Sequence, residues 1–442
     1  TVPADEGRRL ATAGSSAEPF GGERDMRRQE WFRSALAALL LTGANGVVAD
    51  EAGEAAQDGS QHHEAGSMPA TGGSQTAEAA TEEDKPPLTI ETGKVSIQFG
   101  GFAKVDYIQD FDPVGNDSQF KVNSIPVEGD PDAERGGSTN LSAKQTRFTV
   151  DVRGDTAAGV VRAYVEGDFF GSGNSFRMRH GYGEWNGLLG GQTWTTFQDI
   201  SARPHTLDYE GPDSEIFVRQ PMIRYTGHPS DHLQWSIAVE DPESDLTLPE
   251  SATGGDRSEW PDLPFNIRFK SPDQHLQIAG IVRQLRYVSG DGSVDETATA
   301  WGLNLSGKTR VGDKDALMGH AAYGSGIGRY VESFGGTGSD AVLTEGGDLE
   351  PLDVWAFTLG YEHQWSDKLR STLAGSFSDV DNDVSQAGAA IAAASSAHFN
   401  LVYSPVPLLS LGGELMWGER ENFDGATGDA LRFQFSIQYK FR

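Results

Sequence analysis

LRFQFSIQYKF, residues 431–441, alternates between apolar and polar side chains without interruption. Every second residue from Leu431 to Phe441 is apolar, whereas the residues between them, from Arg432 to Lys440, are polar. A period of two gives a β-strand one apolar face and one hydrated face. The run is about eleven residues long, with aromatic side chains at both ends and cations on the hydrated face. It therefore also matches the length and the aromatic girdle of a strand that crosses an outer membrane.

The stretch VSIQFGGFAKVDYIQDF, residues 95–111, has the same alternation. Its apolar side includes Val95, Ile97 and Phe99, and its polar side includes Gln98 and Lys104. The two stretches are therefore predicted to be the first and last strands of one closed barrel.

The composition excludes several classes of protein. The chain of 442 residues keeps one composition from residue 95 to its end, which favours a single large β domain over several soluble ones. It has no cysteine, so neither disulfides nor cysteine-ligated metals are expected, and we predict no metal site and no cofactor. A formal charge of −30 argues against nucleic acid as a partner but not against anions in a locally basic pore.

The first 94 residues contain three predicted segments. Residues 26–49 have the pattern of a secretory signal peptide, with Arg27 and Arg28 before the apolar run ALAALLL at 35–41; a short buried helix is the alternative. Residues 1–25 form an N-terminal extension that this interpretation leaves unexplained. Residues 50–94 are low in complexity and poor in aromatic and β-branched residues, which predicts a disordered periplasmic tether.

The predicted fold is all-β, a transmembrane antiparallel β-barrel of about sixteen strands over residues 95–442. Seven short polar turns alternate with eight mostly longer loops, as in outer-membrane barrels with periplasmic turns and external loops. No repeat of about forty residues supports a propeller. Sixteen strands enclose an aqueous lumen. The candidate strands lie near 95–111, 140–153, 158–169, 175–185, 188–196, 216–226, 233–240, 264–270, 276–287, 298–311, 315–324, 352–365, 369–379, 396–403, 408–418 and 430–441.

Alternation places a group of arginines on the hydrated face of the predicted wall. Arg219 and Arg224 have opposite parity, so at most one points inward unless Pro221 marks a bulge. Two interpretations of these arginines are open: ion pairs that stiffen the wall, and free guanidinium groups that bind carboxylates. The clear inward positions are Arg147, Arg153, Arg162, Arg177, Arg179, Arg268 and Arg283, interleaved with Asp106, Asp151, Glu166 and Asp168.

A series of motifs between residues 145 and 226 resembles a known family. The motifs are QTRFTVDVRG (145–154), RAYVEGDFFG (162–171), RMRHGYGEW (177–185), GQTWTTFQD (191–199), HTLDYEGP (205–212) and RQPMIRYT (219–226). In this order they are similar to the DcaP-like outer-membrane porins, trimeric sixteen-stranded channels associated with uptake of dicarboxylic acids. The resemblance implies that an anion-attracting constriction is formed by Arg147, Arg153, Arg162, Arg177, Arg179, Arg219 and Arg224. The helical periplasmic segment usual in that family is replaced here by the low-complexity tract.

The expected function is a diffusion channel in a Gram-negative outer membrane that passes small anionic solutes and favours dicarboxylates. The expected partners are those solutes, outer-membrane lipid and two further copies in a homotrimer. Arg283 is added to the pore-lining set, and the loop 197–215, with Arg203 and His205, is expected to fold inward. No catalytic residue is assigned.

Three alternatives remain open at this stage. A phosphate- or pyrophosphate-selective porin would need inward lysines, for which Lys104 and Lys144 are the clearest candidates. A barrel enzyme would need a catalytic group such as His180, which alternation places with Met178 on the outer face. A structural barrel with a plugged lumen would not conduct.

Overall fold

The computed structural model describes residues 88–441, so the predicted signal peptide and most of the predicted tether lie outside the described residues. No helix in this part of the chain has the length and hydropathy needed to cross a membrane.

Sixteen antiparallel strands form a closed barrel, which confirms the predicted fold class. The last strand pairs with the first, with Phe441 opposite Gly101 and Arg432 opposite Asp110. Each candidate strand from the sequence corresponds to one strand of the wall. In chain order the strands are β1 Val95–Asp110, β2 Arg147–Thr156, β3 Gly159–Asp168, β4 Arg177–Trp185, β5 Leu188–Trp194, β6 Arg219–Ser230, β7 Leu233–Glu240, β8 Leu263–Ser271, β9 Gln274–Ser289, β10 Asp295–Val311, β11 Asp315–Ser325, β12 Asp353–Ser366, β13 Leu369–Val380, β14 Ile391–Val406, β15 Leu409–Asn422 and β16 Thr427–Phe441.

The two faces of the wall follow the alternation in the sequence. On β16 the apolar residues Phe435, Ile437 and Tyr439 are exposed on the outside, whereas Gln434 and Ser436 are buried inside. An exposed apolar outer face and a polar inner face are what a barrel in lipid requires, because closure satisfies the backbone and only apolar side chains meet hydrocarbon.

The strands differ greatly in length. Turns of two or three residues connect the strands at one end of the barrel. Strand β5 has only seven residues, whereas β10 has seventeen. Because β3 and β4 are also short, with ten and nine residues, the wall is low on this side of the barrel.

An additional strand, Leu88–Thr92, lies within the range that the sequence assigns to the tether. It pairs with β1 from Val95 to Phe99. The last strand pairs with β1 only from Gly101 onward. The first residues of β1 therefore have a free edge on that side, and the additional strand supplies hydrogen-bond partners for it.

Three long loops fold into the barrel and form an apolar inner core. Loop 111–146 contributes Phe120, loop 195–218 contributes Phe197, and loop 326–352 contributes Tyr330 and Phe334, all fully buried. They pack against apolar inward residues of the wall from β9 to β16: Ala279, Ile281, Ala322, Val354, Ala356, Val380, Ile391, Ala394, Met416 and Ala430. The inner core thus fills the lumen beside β9 to β16 and leaves the short-stranded side lined by polar groups.

Candidate functional site

The candidate site is the inward face of β2 to β6, here called the arginine wall. Its arginines are Arg147, Arg153, Arg162, Arg177, Arg179, Arg219 and Arg224, and its carboxylates are Asp151, Glu166, Asp168 and Glu184. Seven guanidinium groups therefore face four carboxylates.

A β-bulge in β4 changes the direction of two side chains. Glu166 of β3 lies opposite His180, and the next residue, Gly167, lies opposite Met178, so Arg179 is the extra residue. Because a bulge lets two successive side chains share a face, Arg179 and His180 are both buried on the inner side. The expectation that His180 faces outward with Met178 was wrong, since simple alternation does not hold across the bulge.

His180 is held inside the wall by polar contacts. Its Nδ1 lies 2.9 Å from Thr193 Oγ1, and its Nε2 lies 3.9 Å from Glu166 Oε1. The ring also contacts Trp194 edge-on, with 5.6 Å between the ring centroids.

Asp151 holds the two arginines nearest the turn end of the wall. Arg153 Nη2 and Arg162 Nη2 each lie 3.0 Å from Asp151 Oδ2. Arg162 also lies 3.6 Å from Glu184, and half of the Arg153 side chain remains exposed. This pair of arginines therefore has both a structural partner and an open face.

A second ion-pair network joins β2, β3 and β4. Arg179 binds Glu166 at 2.8 Å and Asp168 at 3.1 Å. Arg177 binds Asp168 at 3.0 Å, and Arg147 lies 3.4 Å from Glu166. These contacts agree with the interpretation of the arginines as ion pairs that stiffen the wall, and they leave three guanidinium groups sharing two carboxylates.

Arg219 and Arg224 differ from the other arginines of the wall, because no carboxylate in residues 88–441 makes an ion pair with either of them. The pairing of β6 with β5 is continuous from Arg219 to Tyr225, so Pro221 does not mark a bulge. Arg224 alternates with the exposed Tyr225 and points inward, where its Nε is buried without a hydrogen-bond partner in the described chain.

Arg219 has the opposite parity but lies at the first residue of β6, where the wall ends. Its guanidinium turns toward the loop that precedes it, stacks 4.6 Å from the centre of the Trp194 ring and donates to Tyr209 Oη at 3.0 Å. The structure thus brings Arg219 and Arg224 to the interior by different routes.

Arg283 does not join the arginine wall. It is fully buried on β9, where it binds Asp262 at 3.0 Å and Asp340 at 3.1 Å and donates to the backbone oxygens of Gly326 and Glu243 at 2.5 Å. These partners belong to the loops 241–262 and 326–352. Arg283 therefore holds these two loops against the wall.

The loop 195–218, here called the lumen loop, folds inward as the sequence predicts. Side chains of the wall hold its backbone: Asn304 donates to Phe197 O at 3.0 Å, Asn400 to His205 O at 2.8 Å and Gln434 to Leu207 O at 3.1 Å. Because these donors come from β10, β14 and β16, the loop follows the inner wall over much of its circumference.

The two charged residues singled out on the lumen loop have different roles. Arg203 donates to Tyr209 O at 3.1 Å and lies 4.3 Å from the centre of the Phe217 ring, so it stabilises the loop itself. His205 Nδ1 lies 2.7 Å from Glu362 Oε2 on β12. Neither residue is on the arginine wall, but both border the space in front of it.

A cavity of about 390 Å³ separates the lumen loop from the arginine wall. Arg147, Arg179 and His180 line its wall side, and Tyr209 lines its loop side. This volume is within the roughly 300–1,000 Å³ of small-molecule sites. The arrangement provides cationic donors and an aromatic edge for a small anion.

Buried carboxyl groups lie where the three long loops meet. Burial raises the pKa of the Glu215 carboxyl to about 8, and it raises the pKa values of Asp213 and Glu332 well above their ordinary range. Lys121 Nζ lies 2.5 Å from Glu210 Oε1 and 3.5 Å from Glu332 Oε1. The loops are therefore joined by a cluster of buried carboxyl groups with one lysine.

Sequence reasoning missed both this acidic cluster and Tyr209. Residues distant in the chain form the cluster, so no local pattern could have revealed it. Tyr209 lies in the motif HTLDYEGP, but only the fold shows what its hydroxyl contacts. Within residues 88–441, no group of three or more histidine and carboxylate side chains is placed to hold a metal ion.

Comparisons with known proteins agree with this architecture. The sequence profile of the family described as DcaP outer membrane protein matches residues 64–441. None of the curated proteins matches the chain. The crystal structure of the outer membrane channel DcaP of Acinetobacter baumannii is 24% identical, with a TM-score of 0.69, and the alignment covers 78% of this chain and 97% of that one.

Two more distant structures share the fold. The anion-selective porin from Comamonas acidovorans is 11% identical, with a TM-score of 0.51, over 78% of this chain and 100% of that one. OmpT of Vibrio cholerae in a trimer form is 11% identical, with a TM-score of 0.50, over 79% of this chain and 100% of that one. Since the family profile covers most of the chain, the chain belongs to the DcaP outer membrane protein family and is a non-enzymatic channel of the Gram-negative outer membrane.

Proposed function

We propose that this channel prefers anions and favours dicarboxylates. The observation that carries the proposal is the excess of guanidinium groups on the arginine wall, where neither Arg219 nor Arg224 makes an ion pair in the described chain. Cations in a water-filled cleft with low-dielectric walls raise the local concentration of anions. Guanidinium groups also present paired donors that match a carboxylate.

The position of the inner core supports the same proposal. The apolar loop residues pack beside β9 to β16, whereas the cavity of about 390 Å³ lies in front of the arginine wall. A solute that crosses the barrel there passes the arginine wall at short range. Two carboxylates on one solute can meet successive arginines, which favours dicarboxylates over monocarboxylates.

The alternative of a phosphate-selective channel receives less support, because the two candidate lysines are occupied. Lys104 Nζ lies 3.1 Å from Asp106 Oδ1 and donates to Leu207 O at 2.5 Å. Lys144 Nζ donates to Ser118 Oγ at 3.0 Å and lies 3.5 Å from Asp117. Both ammonium groups hold loops in place.

A homotrimer in lipid is part of the proposal. Seven residues at about 3.3 Å each and a tilt of about 45° rise only about 16 Å. That is less than the roughly 25 Å apolar band of an outer-membrane barrel. The low wall at β5 therefore needs cover from other copies, while the apolar outer face of the longer strands meets lipid. OmpT, which shares the fold, has a trimer form.

The test is the reversal potential of channels in a planar bilayer under a KCl gradient. The wild type is expected to prefer anions, and Arg219→Gln with Arg224→Gln should lower the anion-to-cation permeability ratio several-fold, since several kT of potential correspond to about tenfold or more in ion concentration. Arg135→Gln is the matched control, because Arg135 is an exposed loop arginine paired with Asp132. The control should behave as the wild type does.

Solute flux gives a second measurement on the same variants. The double variant should lose succinate permeation much more than permeation of a neutral sugar. Equal loss of both solutes would indicate collapse of the wall, and cation preference in the wild type would contradict the proposal.

A further inference from the structure

Three arginines converge on one hydroxyl group of the lumen loop. Tyr209 Oη lies 3.0 Å from Arg177 Nη2, 2.5 Å from Arg179 Nη1 and 3.0 Å from Arg219 Nη2. A neutral hydroxyl has only two lone pairs, so it cannot satisfy three cationic donors at once. The three guanidinium groups, here called the arginine trio, therefore share an acceptor that has too few lone pairs for all of them.

The charge around the arginine trio is also incompletely balanced. Asp168 pairs with Arg177 and Arg179, and Glu166 pairs with Arg179. Arg219 makes no ion pair in the described chain, and its Nη1 is buried without a hydrogen-bond partner there. A carboxylate would supply the missing charge and about four lone-pair positions in place of two.

Tyr209 is placed so that its ring can leave the arginine trio. It belongs to the lumen loop and not to a strand, and its ring packs 4.5 Å from that of Phe170. It also borders the cavity of about 390 Å³. The cavity gives the ring room to turn and gives a solute access to the same guanidinium groups.

We propose that the Tyr209 hydroxyl occupies the position of a solute carboxylate oxygen on Arg177, Arg179 and Arg219, and that a permeating dicarboxylate displaces it. This inference rests on the proposed function and deepens it, because it makes Tyr209 a specificity-determining residue. While the channel is empty, the hydroxyl is the one acceptor that the three guanidinium groups share. A solute carboxylate, which binds guanidinium groups through charge-assisted hydrogen bonds, competes successfully with it.

The test compares block of single-channel chloride current by succinate in the wild type and in Tyr209→Phe. The substitution removes only the hydroxyl oxygen and keeps the ring packing with Phe170. Succinate then no longer competes with a protein group, and its half-blocking concentration should fall roughly tenfold, since no hydroxyl has to be displaced from the guanidinium groups before it binds. Tyr225→Phe is the matched control, because Tyr225 lies on β6 but is exposed on the outer face.

Tyr209→Leu, which also removes the ring, should lower the half-blocking concentration as well. Folding of each variant is checked by the gel mobility of unheated and heated protein. An unchanged or raised half-blocking concentration in folded Tyr209→Phe would overturn the displacement.

The proposed function is tested separately, since Tyr209→Phe removes no charge and should keep the wild-type reversal potential. Anion preference together with unchanged succinate block would refute only the displacement of Tyr209. Cation preference in the wild type would refute the proposed function and, with it, this inference.

Discussion

A buried ion pair at the seam between the first and last strands gives the sharpest test of the fold. Arg432 of β16 is fully buried, and its Nε and Nη2 lie 2.5 Å and 3.0 Å from the two carboxylate oxygens of Asp110 on β1. Arg432 Nη2 also donates to Asn116 O at 2.7 Å. The pair thus joins the two ends of the barrel and anchors loop 111–146.

Replacing Arg432 with methionine should destabilise the barrel strongly. The substitution keeps most of the side-chain volume but leaves the Asp110 carboxylate, which is 1% exposed, without its cationic partner. Removing one member of a buried ion pair costs about 3–5 kcal/mol. With a slope of about 3 kcal/mol per molar urea, the unfolding midpoint should fall by about 1–1.7 M.

The assay is urea unfolding of the barrel in detergent micelles, followed by tryptophan fluorescence. Adding Asp110→Asn to Arg432→Met removes the uncompensated charge and should restore most of the lost stability, since replacing both charges of a buried pair is often neutral. Arg135→Met, at an exposed pair, should change the free energy of unfolding by less than about 0.5 kcal/mol. A wild-type midpoint for Arg432→Met, or no recovery in the double variant, would refute the reasoning.

Two further predictions concern a loop carboxyl and a glycine. Burial raises the pKa of the Glu215 carboxyl to about 8, from a value near 4.5 in the unfolded chain. The folded state therefore binds this proton more tightly than the unfolded state does. The resulting stability is fully present below the unfolded pKa and is lost as the pH rises through the folded pKa. Glu215→Gln should therefore raise the thermal midpoint by several degrees at about pH 8.5 and change it little at about pH 4, and an equal shift at both pH values would contradict this. Gly101 has a φ of 130°, and a Cβ there would lie 2.1 Å from Arg147 O, so Gly101→Ala should cost more than about 1 kcal/mol in urea unfolding. Gly154→Ala on β2, where a Cβ meets nothing within 4 Å, is the control, and equal midpoints for the two variants would rule out the predicted clash.

The strands of the barrel were predictable from the sequence because lipid and water impose a period of two on each of them. The alternation in residues 431–441 matches the exposed and buried positions of β16. The same rule failed at His180, since one extra residue in β4 reverses the parity beyond it. A bulge of this kind leaves no mark in the local pattern of polar and apolar residues.

The partners of the predicted site residues depend on contacts between distant parts of the chain. Arg283 has the inward parity that the sequence predicts, but its partners Asp262 and Asp340 come from two loops whose paths no local pattern reveals. The acceptor for Arg177, Arg179 and Arg219 is likewise a loop residue, Tyr209. The sequence therefore identified which arginines lie on the wall better than it identified what they bind.

The inner core has a consequence for attempts to widen this channel. In a barrel whose inner face is polar throughout, deleting an inward loop leaves a broader water-filled pore. Here the wall behind loop 326–352 presents Ile281, Val354 and Ala356 to the lumen. Without the loop these residues would form a hydrophobic constriction from which water tends to withdraw. Shortening that loop is therefore expected to yield a channel that flickers shut through dewetting instead of one with higher conductance.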